Sequence, residues 1–329
     1  MRLTFKKWIS VNGLLLALLI AAIAFAMGMG SESASLSDAL GSDSRARAIL
    51  FLARLPRTLL AALVGLALAS AGGTFQALLR NPLADPFILG VSGGAALGSV
   101  LGIGFALPFE IVSVTAFAGA VVAMLSIYAI SGARGRRDST SLLLTGVIFN
   151  AFCFALILFV NAMVTMEQAY QILFLLIGNL EIIDIGSVAV VGLFVLAGFA
   201  VLCLLSGRMN LTSQGDDEAR SLGVDVARVR AAIFFAASLM VGAAVAASGL
   251  IGFVGLFVPH AVRLLFGADH RLLIPASGLL GAAFLVFADA GARTLLMHTG
   301  YATQLPVGVI TALIGAPMFM FLLRRSSRG

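Results

Sequence analysis

The sequence is short of charge. Asp, Glu, Lys and Arg make up only 11% of its 329 residues, whereas an ordinary soluble domain has about 25%. Hydrophobic residues reach 60%, and the mean hydropathy is +1.09. So few charges cannot cover the surface of a folded soluble protein of this size. The composition therefore predicts an integral membrane protein, and we expect it to be all-α.

Lysine, histidine and cysteine are too few or too scattered for several kinds of chemistry. The only lysines are Lys6 and Lys7, so the chain has no P-loop, whose lysine sits in a glycine-rich loop that opens a helix. The three histidines form no H-x-x-x-H pair, and Cys153 and Cys203 lie alone in apolar runs. We expect no catalytic residue, no metal site and no cofactor on this chain, which is therefore not expected to be an enzyme.

Long apolar runs divide the chain into about ten segments that can cross a bilayer as helices. A hydrocarbon core about 30 Å thick needs about 20 helical residues. The predicted spans are 9–29, 57–79, 87–107, 111–131, 141–163, 187–206, 230–249, 250–267, 272–295 and 305–323. The first run could instead be a signal peptide, but it is longer than the usual signal core, so we predict a retained helix.

Small residues recur at a spacing of four in the second and third spans. Such a stripe lets helix backbones approach closely in lipid. The two stripes consist of Gly65, Ala69 and Gly73, and of Gly90, Gly94, Gly98 and Gly102. They predict a tightly packed, glycine-rich bundle, which we take as a single transmembrane domain over residues 1–329.

The basic residues predict the orientation of the bundle. With an even number of spans and both termini cytoplasmic, Arg45, Arg47, Arg54, Arg57 and Arg293 fall outside and every other basic residue falls inside. This asymmetry follows the positive-inside rule. It also explains the isoelectric point of about 10.1 without nucleic acid, because the arginines are spread along one membrane face rather than clustered on a folded domain.

Two connecting stretches are predicted to form short helices. Residues 164–186 contain an apolar piece too short to cross a bilayer, which we expect to lie at the outer surface. Residues 207–230, on the inner side, contain acidic residues followed by Gly223, the usual start and stop signals of a helix. On the residues alone, this inner helix is either a solvated connection or a contact site.

Two features within the predicted spans, a pair of charged residues and a proline, point to structure or to function. Asp289 lies at membrane depth, where an ionisable residue is a functional candidate, and Arg293 follows it at the i,i+4 spacing that permits an ion pair. Pro259 interrupts an apolar stretch and predicts a kink or a broken helix. Such a feature either serves packing or lines a transport pathway.

Several long motifs occur in order along the chain. They are Arg54–Arg57 (RLPR), Gly72–Pro86 (GGTFQALLRNPLADP), Gly252–His260 (GFVGLFVPH) and Leu305–Pro317 (LPVGVITALIGAP). Over about residues 45–325 the chain resembles the permease subunits of bacterial ABC importers for iron-siderophores, haem and vitamin B12. The motifs are specific for the family and weak for the substrate.

The resemblance implies a set of partners in the bacterial inner membrane. These are a second permease copy, with a homodimer favoured over a heterodimer, two cytoplasmic ATPase subunits, and a periplasmic or lipid-anchored substrate-binding protein. The inner helix resembles the family's coupling helices, which dock on the ATPase. The residues that match are Gly215, Asp216, Asp217, Glu218, Ala219, Arg220, Ser221, Leu222 and Gly223. Arg54, Arg57 and Arg293 match the arginines that face acidic residues of the binding protein.

The implied function is ATP-driven import of a metal chelate by alternating access at a dimer interface. An iron-siderophore is favoured, with haem and cobalamin close behind. Two departures from the family pattern leave the chelate open: Gln304 stands where many relatives carry Glu, and Gly178 is followed by Asn179-Leu180-Glu181 instead of a Ser-Leu-type sequence. The alternative is a secondary transporter of a small solute driven by an ion gradient, to which Asp289 alone gives little support.

Overall fold

The computed structural model describes residues 4–29, 44–132, 139–180, 184–295 and 304–326. In these ranges the chain forms helices joined by turns and short irregular segments, without a β-strand. The helices are α1 (Phe5–Gly28), α2 (Ser44–Leu78), α3 (Val91–Gly104), α4 (Phe109–Ser131), α5 (Ser139–Asn161), α6 (Met166–Ile177), α7 (Ile185–Gln214), α8 (Asp216–Ser221), α9 (Val226–Ser248), α10 (Val254–Phe266), α11 (His270–Thr294) and α12 (Val307–Ser326). The predicted all-α fold is confirmed.

Each predicted span coincides with one of these helices. Among the described residues, seven helices are long and apolar enough to cross a membrane: α1, α2, α4, α5, α7, α9 and α11. The helices α3 and α10 have 14 and 13 residues, or about 20 Å at 1.5 Å per residue, and the apolar part of α12 is also short. The two short helices predicted between the spans are α6 and α8. The count of ten crossings stays a prediction.

Helix α2 runs through the centre of the bundle. It contains one π-helical turn, Ile49–Arg54, before its α-helical part, Leu55–Leu78. A Cβ atom on Gly65 would collide with the backbone of Gly281 in α11, and one on Gly72 with the backbone of Gly255 in α10. The helix therefore packs backbone against backbone with two neighbours, as the stripe of small residues predicts.

The second stripe of small residues packs α3 against α4. Added Cβ atoms on Gly94 and Gly98 would collide with Ala123 and Thr115, respectively, on α4. A short helix with little side-chain bulk can thus lie deep in the bundle, and most residues of α3 are buried. The tightly packed, glycine-rich interior is confirmed for both stripes.

Helix α5 presents a broad apolar face to the surroundings. Only 17% of its apolar window is buried, and Leu144, Ile148, Phe152 and Phe159 are among its exposed side chains. Leu144, Ile148 and Phe152 follow one another at a spacing of four and so share one face of the helix. This face is suited to lipid or to another membrane-spanning chain.

Polar side chains fix where several helices begin. Asp184, Asp225 and Asp269 cap α7, α9 and α11 by accepting hydrogen bonds from backbone N–H groups of the first turn. Thr165 and Gln168 form a capping box at the start of α6. These caps set the ends of the helices and hence the positions of the polar residues that lie beyond them.

Candidate functional site

At one end of α2, the carboxylate of Asp289 lies between two arginines. Arg57 Nε and Nη2 lie 3.0 Å and 2.9 Å from Asp289 Oδ1. Arg293, one turn further along α11, places its Nε 3.0 Å from Asp289 Oδ2. The i,i+4 ion pair that the sequence permits is present, and Arg57 joins it from a second helix.

This group of charges is removed from solvent. The side chain of Asp289 is 0% exposed, and those of Arg57 and Arg293 are 8% and 5% exposed. Taking an ion out of water costs several kcal/mol, so buried charges need close partners. Two guanidinium groups share one carboxylate here, which leaves a formal excess of positive charge.

Two neighbours extend the group without balancing its charge. Gln304 Oε1 accepts a 2.8 Å hydrogen bond from Arg57 Nη1, and its amide is neutral. Arg54, in the π-helical turn of α2, donates from Nη1 to the carbonyl oxygen of Met27 at 2.9 Å. We call Arg54, Arg57, Asp289, Arg293 and Gln304 the Asp289 cluster. Its charge suits it to an anionic partner.

At the other end of α2, the carboxylate of Asp216 also lies between two arginines. Asp216 Oδ1 accepts hydrogen bonds from Arg80 Nη2 at 2.6 Å and from Arg230 Nη2 at 2.7 Å. Arg80 Nη2 also donates to the carbonyl oxygen of Thr212 at 2.7 Å. We call Arg80, Thr212, Asp216 and Arg230 the Asp216 cluster. It joins the segment after α2 to α7, α8 and α9.

The chain matches the model of the FecCD transport family over residues 16–325. The chain belongs to the FecCD transport family. The matched part covers nearly the whole permease, including both clusters.

Curated relatives are similar over most of the permease. An uncharacterized ABC transporter permease protein of Bacillus subtilis, YvrB, is 44% identical over 287 residues, 84% of this chain and 78% of the relative. The cobalamin import system permease protein BtuC of Halobacterium salinarum is 43% identical, with 86% and 75% covered. The hemin transport system permease protein HmuU of Yersinia pestis is 39% identical, with 83% and 82% covered.

A solved structure shares the whole fold. It is an inward-facing metal-chelate type ABC transporter, 32% identical in sequence, with a TM-score of 0.87 over 96% of the permease and 99% of that chain. PsaBC from Streptococcus pneumoniae, 19% identical with a TM-score of 0.56, resembles the permease in fold alone. The permease therefore has the fold of an ABC transporter membrane subunit.

The structure brings the three arginines predicted to meet the binding protein into one place. Arg54, Arg57 and Arg293 all belong to the Asp289 cluster, and each is 6% exposed. Their docking role stays a prediction, because the side chains lie beneath the surface and hold partners within the chain. An acidic partner would have to approach the cluster beside Gln304, its exposed member, or draw a guanidinium outward.

The residues predicted to meet the ATPase form one short, exposed segment. Gly215 precedes α8, the residues from Asp216 to Ser221 form it, and Leu222 and Gly223 follow it. Leu222 is 65% exposed. Gly223 has a φ of +80°, a conformation that disfavours other residues, and open space where its Cβ would lie. An exposed apolar residue on a sharp turn suits a contact with another protein, and this docking role stays a prediction.

Pro259 lies apart from both clusters. The helix α10 continues through it to Phe266, and Pro259 is buried against α2, where a Cβ on Gly73 would lie 3.3 Å from it. A proline removes one helical hydrogen bond, and the carbonyl freed here, that of Gly255, faces Gly72 across the helix crossing. The observed contacts are packing contacts, and the pathway role of Pro259 stays a prediction.

The segment that departs from the family pattern is held tightly by its neighbours. Gly178 has a φ of +84°, and a Cβ there would collide with the carbonyl of Leu250. Asn179 N donates to the carbonyl of Ser248 at 3.0 Å, and Leu180 is fully buried. Glu181 lies outside the described residues. The segment thus ties the end of α6 to the connection between α9 and α10.

Sequence reasoning missed several polar residues that link helices near the Asp216 cluster. Asn210 Nδ2 donates to Asp269 Oδ1 at 2.7 Å, and Asn210 Oδ1 accepts from the backbone N of His270 at 2.9 Å. The hydrogen bond from Arg271, followed by that from Asn210, lowers the pKa of Asp269 to about 2, so this helix cap stays ionised at any physiological pH. No spacing in the sequence indicates these pairs, because their members lie far apart along the chain.

A second link joins α2 to α10. Gln76 Oε1 accepts from Arg263 Nη2 at 3.1 Å, and Gln76 Nε2 donates to the carbonyl of Leu256 at 3.2 Å. Gln76 stands in the motif Gly72–Pro86 and Arg263 lies three residues after the motif Gly252–His260, but neither motif indicates that the two side chains touch. Both links lie toward the same end of α2 as Arg80.

Proposed function

We propose that this permease is the membrane-spanning subunit of an ATP-driven importer that moves a metal chelate from the periplasm to the cytoplasm. The observation that carries the proposal is the set of relatives that match along most of their length and are named as permeases for cobalamin, hemin and iron chelatin. The fold shared with a metal-chelate type transporter supports the same class of cargo.

An iron-siderophore is the favoured cargo, with haem and cobalamin as the nearest competitors. All three are large metal chelates, and relatives named for each kind of chelate match at similar identity. The polar departures at Gln304 and Asn179 do not decide among the three. The cargo is therefore a question for direct competition between chelates.

ATP is hydrolysed on separate subunits. The only lysines of the chain, Lys6 and Lys7, lie near its start, so the permease cannot supply the phosphate-binding lysine of an ATPase. Two cytoplasmic ATPase subunits bind the segment Gly215–Gly223, with Leu222 entering an apolar cleft of the partner. The exposure of Leu222 and the sharp turn at Gly223 support this assignment.

The Asp289 cluster receives the substrate-binding protein. Its excess positive charge matches acidic side chains on a periplasmic or lipid-anchored partner, and complementary charge speeds association. Because Asp289 holds Arg57 and Arg293 inward, the partner's carboxylates compete with an internal one. The docking affinity should therefore depend on salt.

Transport proceeds by alternating access between two permease copies in the bacterial inner membrane. We take both termini as cytoplasmic and count ten crossings per copy, with α3, α10 and α12 as the shorter ones. The outward apolar face of α5 supports contact with a second membrane-spanning chain. ATP shifts the equilibrium because its binding to the ATPase differs in affinity between the two states.

The experiment that tests this function uses the permease with its ATPase and binding protein in proteoliposomes. We expect uptake of one labelled chelate that requires ATP and the binding protein, and that is blocked by an unlabelled excess of the same chelate. Ferric siderophore, haem and cobalamin are compared in the same vesicles. Uptake that follows an imposed ion gradient without ATP would instead support the secondary transporter.

A further inference from the structure

The helix α8 is too short to hold its own position. It has six residues, whereas isolated helices shorter than about 12–15 residues are marginal in water. Among its side chains, Ala219 is the buried one. Its placement on the bundle therefore depends on polar contacts at its ends.

Asp216, the first residue of α8, supplies such contacts to two other helices. One oxygen of its carboxylate accepts from Arg80, which follows α2, and from Arg230 in α9, at 2.6 Å and 2.7 Å. Arg80 also donates a hydrogen bond to the carbonyl oxygen of Thr212 in α7. One carboxylate thus ties α8 to the bundle on two sides.

The partner on the α2 side is itself held in place. Arg80 has a φ of +49°, and its backbone N donates to the carbonyl of Ala77 at 3.2 Å, so it continues the last turn of α2 as a tight cap. The body of α2 is fixed by the backbone contacts of Gly65 and Gly72. A displacement of Asp216 would therefore act on a side chain whose backbone is held at the end of α2.

Asp217, the next residue, gives a built-in contrast. It pairs with Arg220 of the same helix at 3.2 Å, and both side chains are largely exposed, at 94% and 65%. A pair within one helix cannot fix that helix relative to its neighbours. Asp217 therefore offers the same charge on the same helix without the link to the bundle.

We infer that Asp216 is a positioning residue that fastens α8 to α2 and α9, so that movement of α8 passes to α2. The geometry also gives α2 a partner at its far end, since Arg57 is held by Asp289 there. The link within the permease stands on the contacts alone. Its use in transport rests on the proposed function, in which α8 receives the ATPase.

The first test measures the link itself, without ATPase or cargo. A nitroxide label is placed at Ser221→Cys in the full chain, in nanodiscs, with Cys153 and Cys203 replaced by serine. We expect Asp216→Asn to increase the mobility of the label and Asp217→Asn to leave it unchanged. An Asp216→Asn spectrum identical to that of the parent would overturn the inference.

A double variant shows whether Arg80 is the partner that matters. Arg80→Gln alone should also increase label mobility, and Asp216→Asn combined with Arg80→Gln should add little to either single change, because both remove the same contact. Fully additive changes would show that the two residues act independently, and would overturn the link to α2.

The second test measures transmission in the complete importer. We expect Asp216→Asn to lower the amount of chelate taken up per ATP hydrolysed by about fivefold, measured on purified complexes that contain the ATPase. Asp216→Glu, which keeps the charge, should recover much of that ratio. An unchanged ratio in Asp216→Asn would refute transmission, whereas an unmodified complex without ATP-dependent uptake would refute the proposed function and leave the label result standing.

Discussion

Both ends of α2 carry one carboxylate between two arginines, in opposite surroundings. The side chains of Asp289, Arg57 and Arg293 are nearly or fully buried, whereas that of Asp216 is 28% exposed and that of Arg80 is 41% exposed. Exposed ion pairs contribute about 0–1 kcal/mol, but breaking a buried pair by removing one partner costs about 3–5 kcal/mol. The same arrangement is thus expected to contribute several kcal/mol at the buried end and about 1 kcal/mol or less at the partly exposed end.

This difference fits the two ends to different tasks. Water reaches the Asp216 cluster, so its charges tolerate a change of surroundings when another protein binds α8, while Asp216 keeps its link to Arg80. The arginines of the Asp289 cluster are buried, so only another carboxylate can replace Asp289 as their partner. Selective contact with an acidic partner is therefore suited to the Asp289 cluster, and a link that works in contact with water is suited to the Asp216 cluster.

The largest expected effect comes from removing the buried carboxylate. Asp289→Asn leaves Arg57 and Arg293 without a counter-charge, and we expect a loss of about 3–5 kcal/mol in stability. Asp216→Asn, the matched change at the exposed end, should cost about 1 kcal/mol or less. Thermal unfolding of both variants in the same detergent measures the difference. Equal losses would mean that burial does not separate the two clusters.

A smaller effect is expected from the helix that joins the clusters. Gly72→Ala places a methyl group against the backbone of Gly255, which cannot move aside, and such overpacking costs about 1–3 kcal/mol. Gly73→Ala is the control, because its methyl group meets the side chains of Leu273 and Pro259, at 3.0 and 3.3 Å. Unfolding temperatures should fall further for Gly72→Ala. A larger fall for Gly73→Ala would contradict the backbone-to-backbone crossing.

A substitution at Gln304 can change the charge of the Asp289 cluster and leave that of the Asp216 cluster as it is. Gln304→Glu gives Arg57 a second carboxylate, which should raise the stability of the permease and weaken its affinity for an acidic binding protein by about fivefold, or ~1 kcal/mol. Titration of the binding protein at low and high salt measures the affinity, and the difference should shrink as salt rises. Gln304→Met, which adds no charge, is the control. Tighter docking of Gln304→Glu would show that the cluster does not attract acidic groups.

Much of the fold was predictable because it follows from local composition. Runs of apolar residues predict the membrane helices, because these residues face either the lipid or the core. The stripe at Gly94 and Gly98 predicts the close contact of α3 and α4. Helix ends were less predictable. The helix α7 continues to Gln214, eight residues beyond the predicted span 187–206, because a polar segment can remain helical after the apolar run ends.

The candidate sites were predictable only in part. Asp289 and Arg293 are four residues apart on one helix, and their pairing can be read from that spacing. Arg57 and Asp289 are separated by 232 positions, and Arg80 and Asp216 by 136, so their contacts depend on how the helices pack. The burial of the arginines, too, is a property of the packed bundle, and a charged residue near the end of a span gives no sign of it.

The smallest effect concerns a third carboxylate, which has no arginine partner among the described residues. Asp85 accepts a 2.8 Å hydrogen bond from the backbone N of Phe87 in the connection after Arg80, and burial raises its pKa from 3.8 to about 6 despite that bond. The folded state then binds the proton more tightly than the unfolded chain, so stability falls as pH rises from about 4 through 6.

Asp85→Asn should remove this dependence of stability on pH. We expect it to raise the free energy of unfolding at a pH above 6, by an amount on the order of 1 kcal/mol, and to lose that advantage toward pH 4; unfolding temperatures at both pH values follow the change. Asp184 is the control of opposite sign, because hydrogen bonds from the side chain and the backbone of Ser187 lower its pKa, and its protonation at low pH therefore removes stability. If Asp85→Asn had the same benefit at pH 4 as at pH 7.5, the pKa of Asp85 would not be raised in the folded state. The arginine partners of Asp289 would then not set it apart from Asp85.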